Sequence, residues 1–230
     1  MEHTIRAIAH IRSDLPEKFG VPRQAGLVRE LEATVVFEPE YRVPEALRGL
    51  EGFSHIWLIW QFSQALREGW SPTVRPPRLG GNERRGVFAT RSPFRPNALG
   101  LSCVRLLAVE TDPALGPVLR VAGVDLVDGT PIFDVKPYLP YADCIPEASG
   151  GFAPDGGALL EVSFAPGVEE RLPPQKRAAL RGVLANDPRP RYQHDPERVY
   201  KLLFAGWELA FTVEGTRLRV IDAEYKPPEL

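Results

Sequence analysis

A chain of 230 residues, 43% hydrophobic and 25% charged, is long enough to bury a real core, as one large domain or as one domain with a smaller companion. A net charge of −2 argues against a uniformly basic coat for nucleic acid, and the most apolar run, HIWLIWQF, is far shorter than the roughly 20 residues of a membrane-crossing helix. Cys103 and Cys144 form neither a CxxC pair nor a disulfide framework, and the opening MEHTIRAIAHIRSDL is too polar for a signal peptide, so we expect a reduced, cytoplasmic protein with no membrane segment.

The average charge hides two basic segments. Between Arg67 and Arg105 eight arginines stand against two glutamates, and between Arg171 and Lys201 eight basic residues stand against three acids. Such segments are either solvated faces or a footprint for a phosphate backbone.

In chain order, HTIRAIAHI alternates and predicts a first strand, and LVRELEATVVFEPEY continues β structure. GLEGFSHIWLIWQFS predicts a buried strand, with His55 read as a core histidine. REGWSPTVRPPRLGGNERRG is a long polar loop, and VFAT after it reads as a short strand. LGLSCVRLLAVE and PVLRVAGVDLVDGTPIFDVKPYL predict at least three more strands. PEASGGFAPDGG is a Pro/Gly/Ser linker, which places a boundary after residue 146. Beyond it come a strand in ALLEVSF and a helix from about 173 to 185, with prolines in its first turn. Its apolar stripe is Leu172, Ala179, Leu180, Val183 and Leu184. A hairpin then pairs VYKLLFAGWELAFTV with LRVIDAEY around EGTR. With 20 glycines and 24 prolines marking turns, the pattern predicts a mainly β protein. Residues 1–146 are expected to form a many-stranded, mostly antiparallel sheet that closes into a barrel or a sandwich, and residues 147–230 a small α+β domain.

The chain carries no GxGxxG after a strand, no P-loop, no HExxH and no GxSxG. Asp125, Asp128 and Asp134 do not follow the calcium-loop pattern, and VDGTP reads better as an Asp-Gly turn. The four histidines lack ligand spacing, so no metal is expected.

Two motifs do not fit a plain β domain. RSPFRPNALGLS, residues 91–102, crowds Arg91, Arg95, Pro96, Asn97 and Gly100 into one turn, and DGTPIFDVKPY, residues 128–138, joins a turn to Asp134, Lys136 and Tyr138. Together with VPRQAG (21–26) and the C-terminal NDPRPRYQHD and RVYKLLFAGWELAF, they resemble the TrmO, or TsaA-like, family over nearly the whole chain. The resemblance implies an S-adenosylmethionine-dependent methyltransferase built on a β-barrel, working as a homodimer with the cofactor near the subunit interface. Its substrate would be N6 of N6-threonylcarbamoyladenosine at position 37, in the anticodon stem-loop of threonine tRNA. A non-catalytic module binding cofactor and tRNA, or a methyltransferase on another substrate, is the alternative.

Carried over position by position, the resemblance assigns the cofactor to Pro22, Arg23, Gln24, Ser63, Gln64, Arg91, Leu101, Asp128, Gly129, Thr130 and Pro131. Many family members have a histidine where Ser63 stands. The residue types suit such a ligand, because arginine meets a carboxylate bidentately and a leucine covers a purine face. Asp134, Lys136, Tyr138 and Tyr141 are the catalytic candidates, as base, as counter-charge or as stacking groups. Arg84, Arg85, Arg95, Arg189 and Arg191 are candidates for RNA contact, with Arg95 equally able to buttress its own loop.

Overall fold

A computed structural model describes residues 2–190 and 195–227; Arg191 lies outside them. Six strands close into a barrel: β1 (Ala9–Ser13), β2 (Glu32–Phe37), β3 (His55–Gln61), β6 (Leu99–Asp112), β7 (Gly116–Ala122) and β8 (Pro131–Pro137). Around the barrel the order is β1-β2-β7-β6-β3-β8, and every neighbouring pair is antiparallel. Two-residue strands β4 (Thr73–Val74) and β5 (Arg85–Gly86) form a separate ribbon on the long polar loop.

The alternation that predicts the strands also sorts their side chains. In β6, Gly100, Ser102, Val104 and Leu106 point inward, while Leu99, Leu101, Arg105 and Leu107 are exposed. In β3, Ile56, Leu58 and Trp60 are buried, and the period of two puts His55 on the opposite face. His55 is therefore an exposed residue whose Nδ1 lies 3.0 Å from Ser54 Oγ, which corrects its reading as a core histidine. VFAT is also not a strand: Val87–Ala89 form a 3₁₀ turn that buries Val87 and leaves Phe88 exposed. Thr90 Oγ1 donates to the Val87 carbonyl at 2.9 Å, closing that turn locally.

After the barrel come short helices α1 (Pro140–Asp143) and α2 (Val168–Arg171), strand β9 (Glu161–Phe164) and helix α3 (Pro174–Ala185). Strands β10 (Tyr200–Phe204), β11 (Trp207–Glu214) and β12 (Arg217–Tyr225) complete a second sheet in the order β10-β11-β12-β9, with β9 parallel to β12. VYKLLFAGWELAFTV is thus two strands rather than one arm. The chain reverses at Ala205 and Gly206, whose φ values are 50° and 79°. Alanine rarely adopts that left-handed conformation, so no turn signal marks the site.

The two sheets share one apolar core. Phe19 stacks on Phe211 with centroids 6.4 Å apart, and a Cβ at Gly182 of α3 would press on Val28. At the same seam Lys176 Nζ meets Asp14 Oδ2 at 2.6 Å, and Ala205 N–H donates to the Asp14 carbonyl at 2.9 Å.

Candidate active site

The 62–98 loop, the barrel mouth and the linker around Gly150–Gly156 border an open cavity of about 1760 Å³. That exceeds the ~300–1,000 Å³ of a common ligand pocket. The cavity brings together Pro22, Arg23, Gln24, Arg84, Arg91, Arg95 and Leu101, which are far apart in sequence. Arg91 Nη1 donates to Gln24 Oε1, joining the 91–102 motif to the Pro-Arg-Gln turn. Arg23 Nη2 donates to the Asp187 carbonyl at 3.4 Å, tying the same turn to the C-terminal domain. Leu101 points out of the barrel into the cavity, 55% exposed. Arg78 crosses to the linker and pairs with Asp155 at 2.8 Å.

Beneath this cavity runs a hydrogen-bonded chain absent from the sequence reading. Trp60 Nε1–H donates to Ser102 Oγ at 2.9 Å, and the Ser102 hydroxyl donates to Asp125 Oδ1 at 2.6 Å. The backbone N–H groups of Ala25 and of Asp125 itself also favour its ionised form. Burial pushes its carboxyl up to about 6, opposed by those three donors and by the positive charge of Arg91. Gly100 makes room for the chain, since a Cβ there would overlap the Trp60 indole. No local pattern announces a contact between residues 23 and 42 positions apart. A polar Ser102 at an inward position of β6 is the one signal.

Other candidates lie elsewhere. Asp128 and Gly129 turn the chain beside β1: Asp128 Oδ1 accepts the Ser13 N–H at 2.8 Å, and Gly129, at φ 73°, donates its N–H to the Ile11 carbonyl. Thr130 is buried, with its hydroxyl donating to the Val127 carbonyl at 2.6 Å. Ser63 and Gln64 lie in a 3₁₀ turn, with Lys18 Nζ donating to the Gln64 carbonyl. None of Ser63, Gln64 and Asp128 to Pro131 lines the cavity.

The catalytic candidates occupy the outer wall. In the register, Leu101 of β6 faces Ile59 of β3, and Ile59 faces Asp134 of β8. Asp134 therefore sits two strand spacings, about 10 Å, from Leu101 on one continuous surface. Its Oδ2 pairs with Lys136 Nζ at 3.0 Å, and its Oδ1 accepts the Val135 N–H at 2.9 Å. Tyr138 packs near Trp57, with centroids 5.8 Å apart, and its phenol is pushed above the ordinary value by burial first and by the neighbouring Cys144 second. Trp57 Nε1–H donates to Asp143 Oδ2 at 3.1 Å, and Tyr141 on α1 is 88% exposed.

The basic loop is more than charge. Trp70 and Phe88, 52% and 72% exposed, lie 6.0 Å apart where the β4–β5 ribbon begins and ends. Arg67 lies 3.6 Å over the Phe94 ring. Arg84 donates to Thr73 Oγ1 at 3.0 Å, Arg85 pairs with Glu83 at 2.6 Å, and Arg95 braces its own loop through the Thr90 carbonyl at 3.1 Å. Arg189 is buried and holds Asp187 through two hydrogen bonds of 2.9 and 3.0 Å. Among the described residues no cluster of three or more His, Cys, Asp or Glu is placed to hold a metal, and no helix is long and apolar enough to cross a membrane.

Residues 10–144 match the family model of the tRNA-methyltransferase O N-terminal domain, and residues 157–226 match that of the TrmO C-terminal domain. The chain belongs to the tRNA-methyltransferase O family. A tRNA (adenine(37)-N6)-methyltransferase of Escherichia coli is 46% identical over 226 residues, covering 95% of this chain and 94% of that one. A putative S-adenosylmethionine-dependent methyltransferase of Pseudomonas aeruginosa is 42% identical, covering 91% of each chain. The crystal structure of TrmO from Pseudomonas aeruginosa superposes with a TM-score of 0.80 at 34% identity, over 97% of this chain and 99% of that chain. The closed antiparallel barrel and the second sheet are the architecture expected of a member of this family.

Proposed function

We propose that this protein transfers a methyl group from S-adenosylmethionine to N6 of N6-threonylcarbamoyladenosine at position 37 of threonine tRNA. The coarser activity, a tRNA (adenine(37)-N6)-methyltransferase using S-adenosylmethionine, follows from its close relatives. The observation that carries the finer reading is a cavity facing a nucleoside cofactor's chemistry on one side and an arginine-rich, aromatic loop on the other. The residues fit the cofactor: Arg91 offers a fork for a carboxylate, Leu101 an apolar face for a purine, and Gln24 a neutral polar group beside them. When bound, S-adenosylmethionine supplies an activated methyl on a sulfonium.

The protein's own task is to position the target nitrogen and remove its proton. N6 of the modified base is also a urea nitrogen, so its lone pair is delocalised and a base is needed. Asp134 is that base in this reading. Its partner Lys136 moves to the threonyl carboxylate of the substrate, freeing one carboxylate oxygen to accept the N6 proton. Substrate recognition and base release are then one event. Tyr138 and Tyr141 stack on a base turned out of the anticodon loop.

The barrel, residues 1–146, carries the chemistry, and residues 147–230 assist tRNA binding. Two copies pair through the outer wall of β3, β6 and β8, where Trp57, Ile59, Leu99, Leu101 and Cys103 make an apolar face around Asp134. The enzyme works in the cytoplasm.

The test is mass spectrometry of tRNA nucleosides from cells lacking the protein, paired with transfer of labelled methyl by the purified protein. The expected result is one methyl missing from the threonylcarbamoyladenosine of threonine tRNA, restored by the protein. Restored methylation of an unmodified adenosine, or none at all, overturns the substrate assignment.

A further inference from the structure

Seven arginines line the cavity: Arg23, Arg67, Arg75, Arg78, Arg84, Arg91 and Arg95. The described lining holds two acids, and one of them, Asp155, is taken up by Arg78 at 2.8 Å. The other is Asp125. It feels the charge of Arg91, yet the two make no ion pair within 4.0 Å. A guanidinium and a carboxylate thus face the same space without cancelling each other.

The Ser102 hydroxyl donates to the Asp125 carboxylate at 2.6 Å, and the backbone N–H groups of Ala25 and of Asp125 itself favour its ionised form. A carboxylate offers about four lone-pair directions, so acceptor capacity remains for a ligand. The Ser102 bond fixes its place against β6. Burial raises the carboxyl to about 6, so at neutral pH the folded protein holds a desolvated anion without a close counter-ion. An arriving cation relieves that cost.

We propose that Asp125 receives the α-ammonium of the cofactor's methionyl end while Arg91 receives its α-carboxylate, so that the pair reads a zwitterionic amino acid. The proposal rests on the cofactor reading of this cavity. It gives a cavity rich in arginine the one feature that bare positive charge lacks, a reason to admit a ligand that is itself cationic. It also separates the binding end from the transfer end, leaving the methyl free to face the outer wall.

The test is calorimetric binding of three probes to wild type and Asp125→Asn: S-adenosylhomocysteine, its analogue lacking the amino group, and 5′-methylthioadenosine, which lacks the amino-acid end. Loss of a charge-assisted hydrogen bond predicts about 10- to 100-fold weaker S-adenosylhomocysteine binding, with the other two probes within about twofold. Arg91→Gln should weaken S-adenosylhomocysteine and the deamino analogue together. Should Asp125→Asn fail to fold, wild type alone decides. The gap between S-adenosylhomocysteine and the deamino analogue should widen from about pH 5 to about pH 7.5, as the Asp125 carboxyl ionises through about 6. An unchanged S-adenosylhomocysteine affinity, an equal loss for all three probes, or a pH-independent gap overturns the proposal while leaving the cofactor reading in place. If wild type binds none of the probes, the cofactor reading itself has failed.

Discussion

Ser102 gives its hydroxyl proton to Asp125 at 2.6 Å and takes the indole N–H of Trp60 at 2.9 Å, so one small side chain satisfies two larger ones. Ser102→Ala removes both bonds at once and leaves the buried indole N–H of Trp60 without its acceptor. We expect a loss of about 1–3 kcal/mol in stability, read by urea unfolding at neutral pH. A loss below about 0.5 kcal/mol would mean that Trp60 and Asp125 find other partners.

Asp125 also predicts a pH signature. Its folded pKa, about 6, lies above the unfolded value near 3.8, so the folded state favours the protonated acid. The stability this confers is complete below the unfolded value and is lost as pH rises through about 6. Asp125→Asn, which cannot ionise, should therefore gain on wild type between about pH 4 and pH 8, by roughly 2–3 kcal/mol at most. Parallel unfolding curves at the two ends of that range measure it. A stability difference that does not change with pH would remove the raised carboxyl from the account.

Gly100 is the point where the 91–102 motif admits Trp60. The indole lies against the glycine Cα, and its other edge packs on Phe62 with centroids 4.3 Å apart. Gly100→Ala must displace the ring or the strand, which should lower stability by about 1–3 kcal/mol and perturb the near-ultraviolet signal of tryptophan. Both are read in one thermal scan. A variant with wild-type stability and spectrum would show that the ring moves without strain.

The barrel was legible because its physics is local: a period of two over β3 and β6 states which side chains face inward, before any pairing is known. His55 shows the same physics from the other side: its apolar neighbours suggest burial, but the parity of β3 sets it on the outer face. Ala205-Gly206 escaped because the left-handed turn uses an alanine. The motif RSPFRPNALGLS marks out Arg91 and Leu101 as candidates, but the Trp60–Ser102–Asp125 chain exists only after β3, β6 and the segment following β7 close on one another. Trp70 and Phe88 likewise meet only through the small β4–β5 ribbon, which the prolines of the loop concealed.

Asp134 and Lys136 make the chemical step testable. Asp134→Asn keeps the shape but cannot take a proton, so we expect kcat to fall about 100-fold or more with cofactor affinity unchanged. Lys136→Met should instead raise KM for tRNA carrying the threonylcarbamoyl group. Steady-state kinetics on modified tRNA separates the two. Full rate in Asp134→Asn, with normal cofactor binding, removes it as the base.

The proposed tRNA contact assigns phosphates and bases to different parts of one loop, and salt separates them. Arg84 and Arg85 frame the ribbon, and each phosphate contact adds about 0.7–0.9 to the slope of log affinity against log salt. Replacing both with glutamine should lower that slope by about one to two for an anticodon stem-loop. Trp70 and Phe88, exposed at the ribbon's base, offer stacking surface instead. Phe88→Ala should weaken binding about 5- to 100-fold at every salt concentration and leave the slope unchanged. Fluorescence titrations at several salt concentrations measure both. A slope unaffected by the arginines places the RNA on another face. A Phe88→Ala protein that binds normally but changes its oligomeric state assigns the aromatic pair to a second copy of the chain.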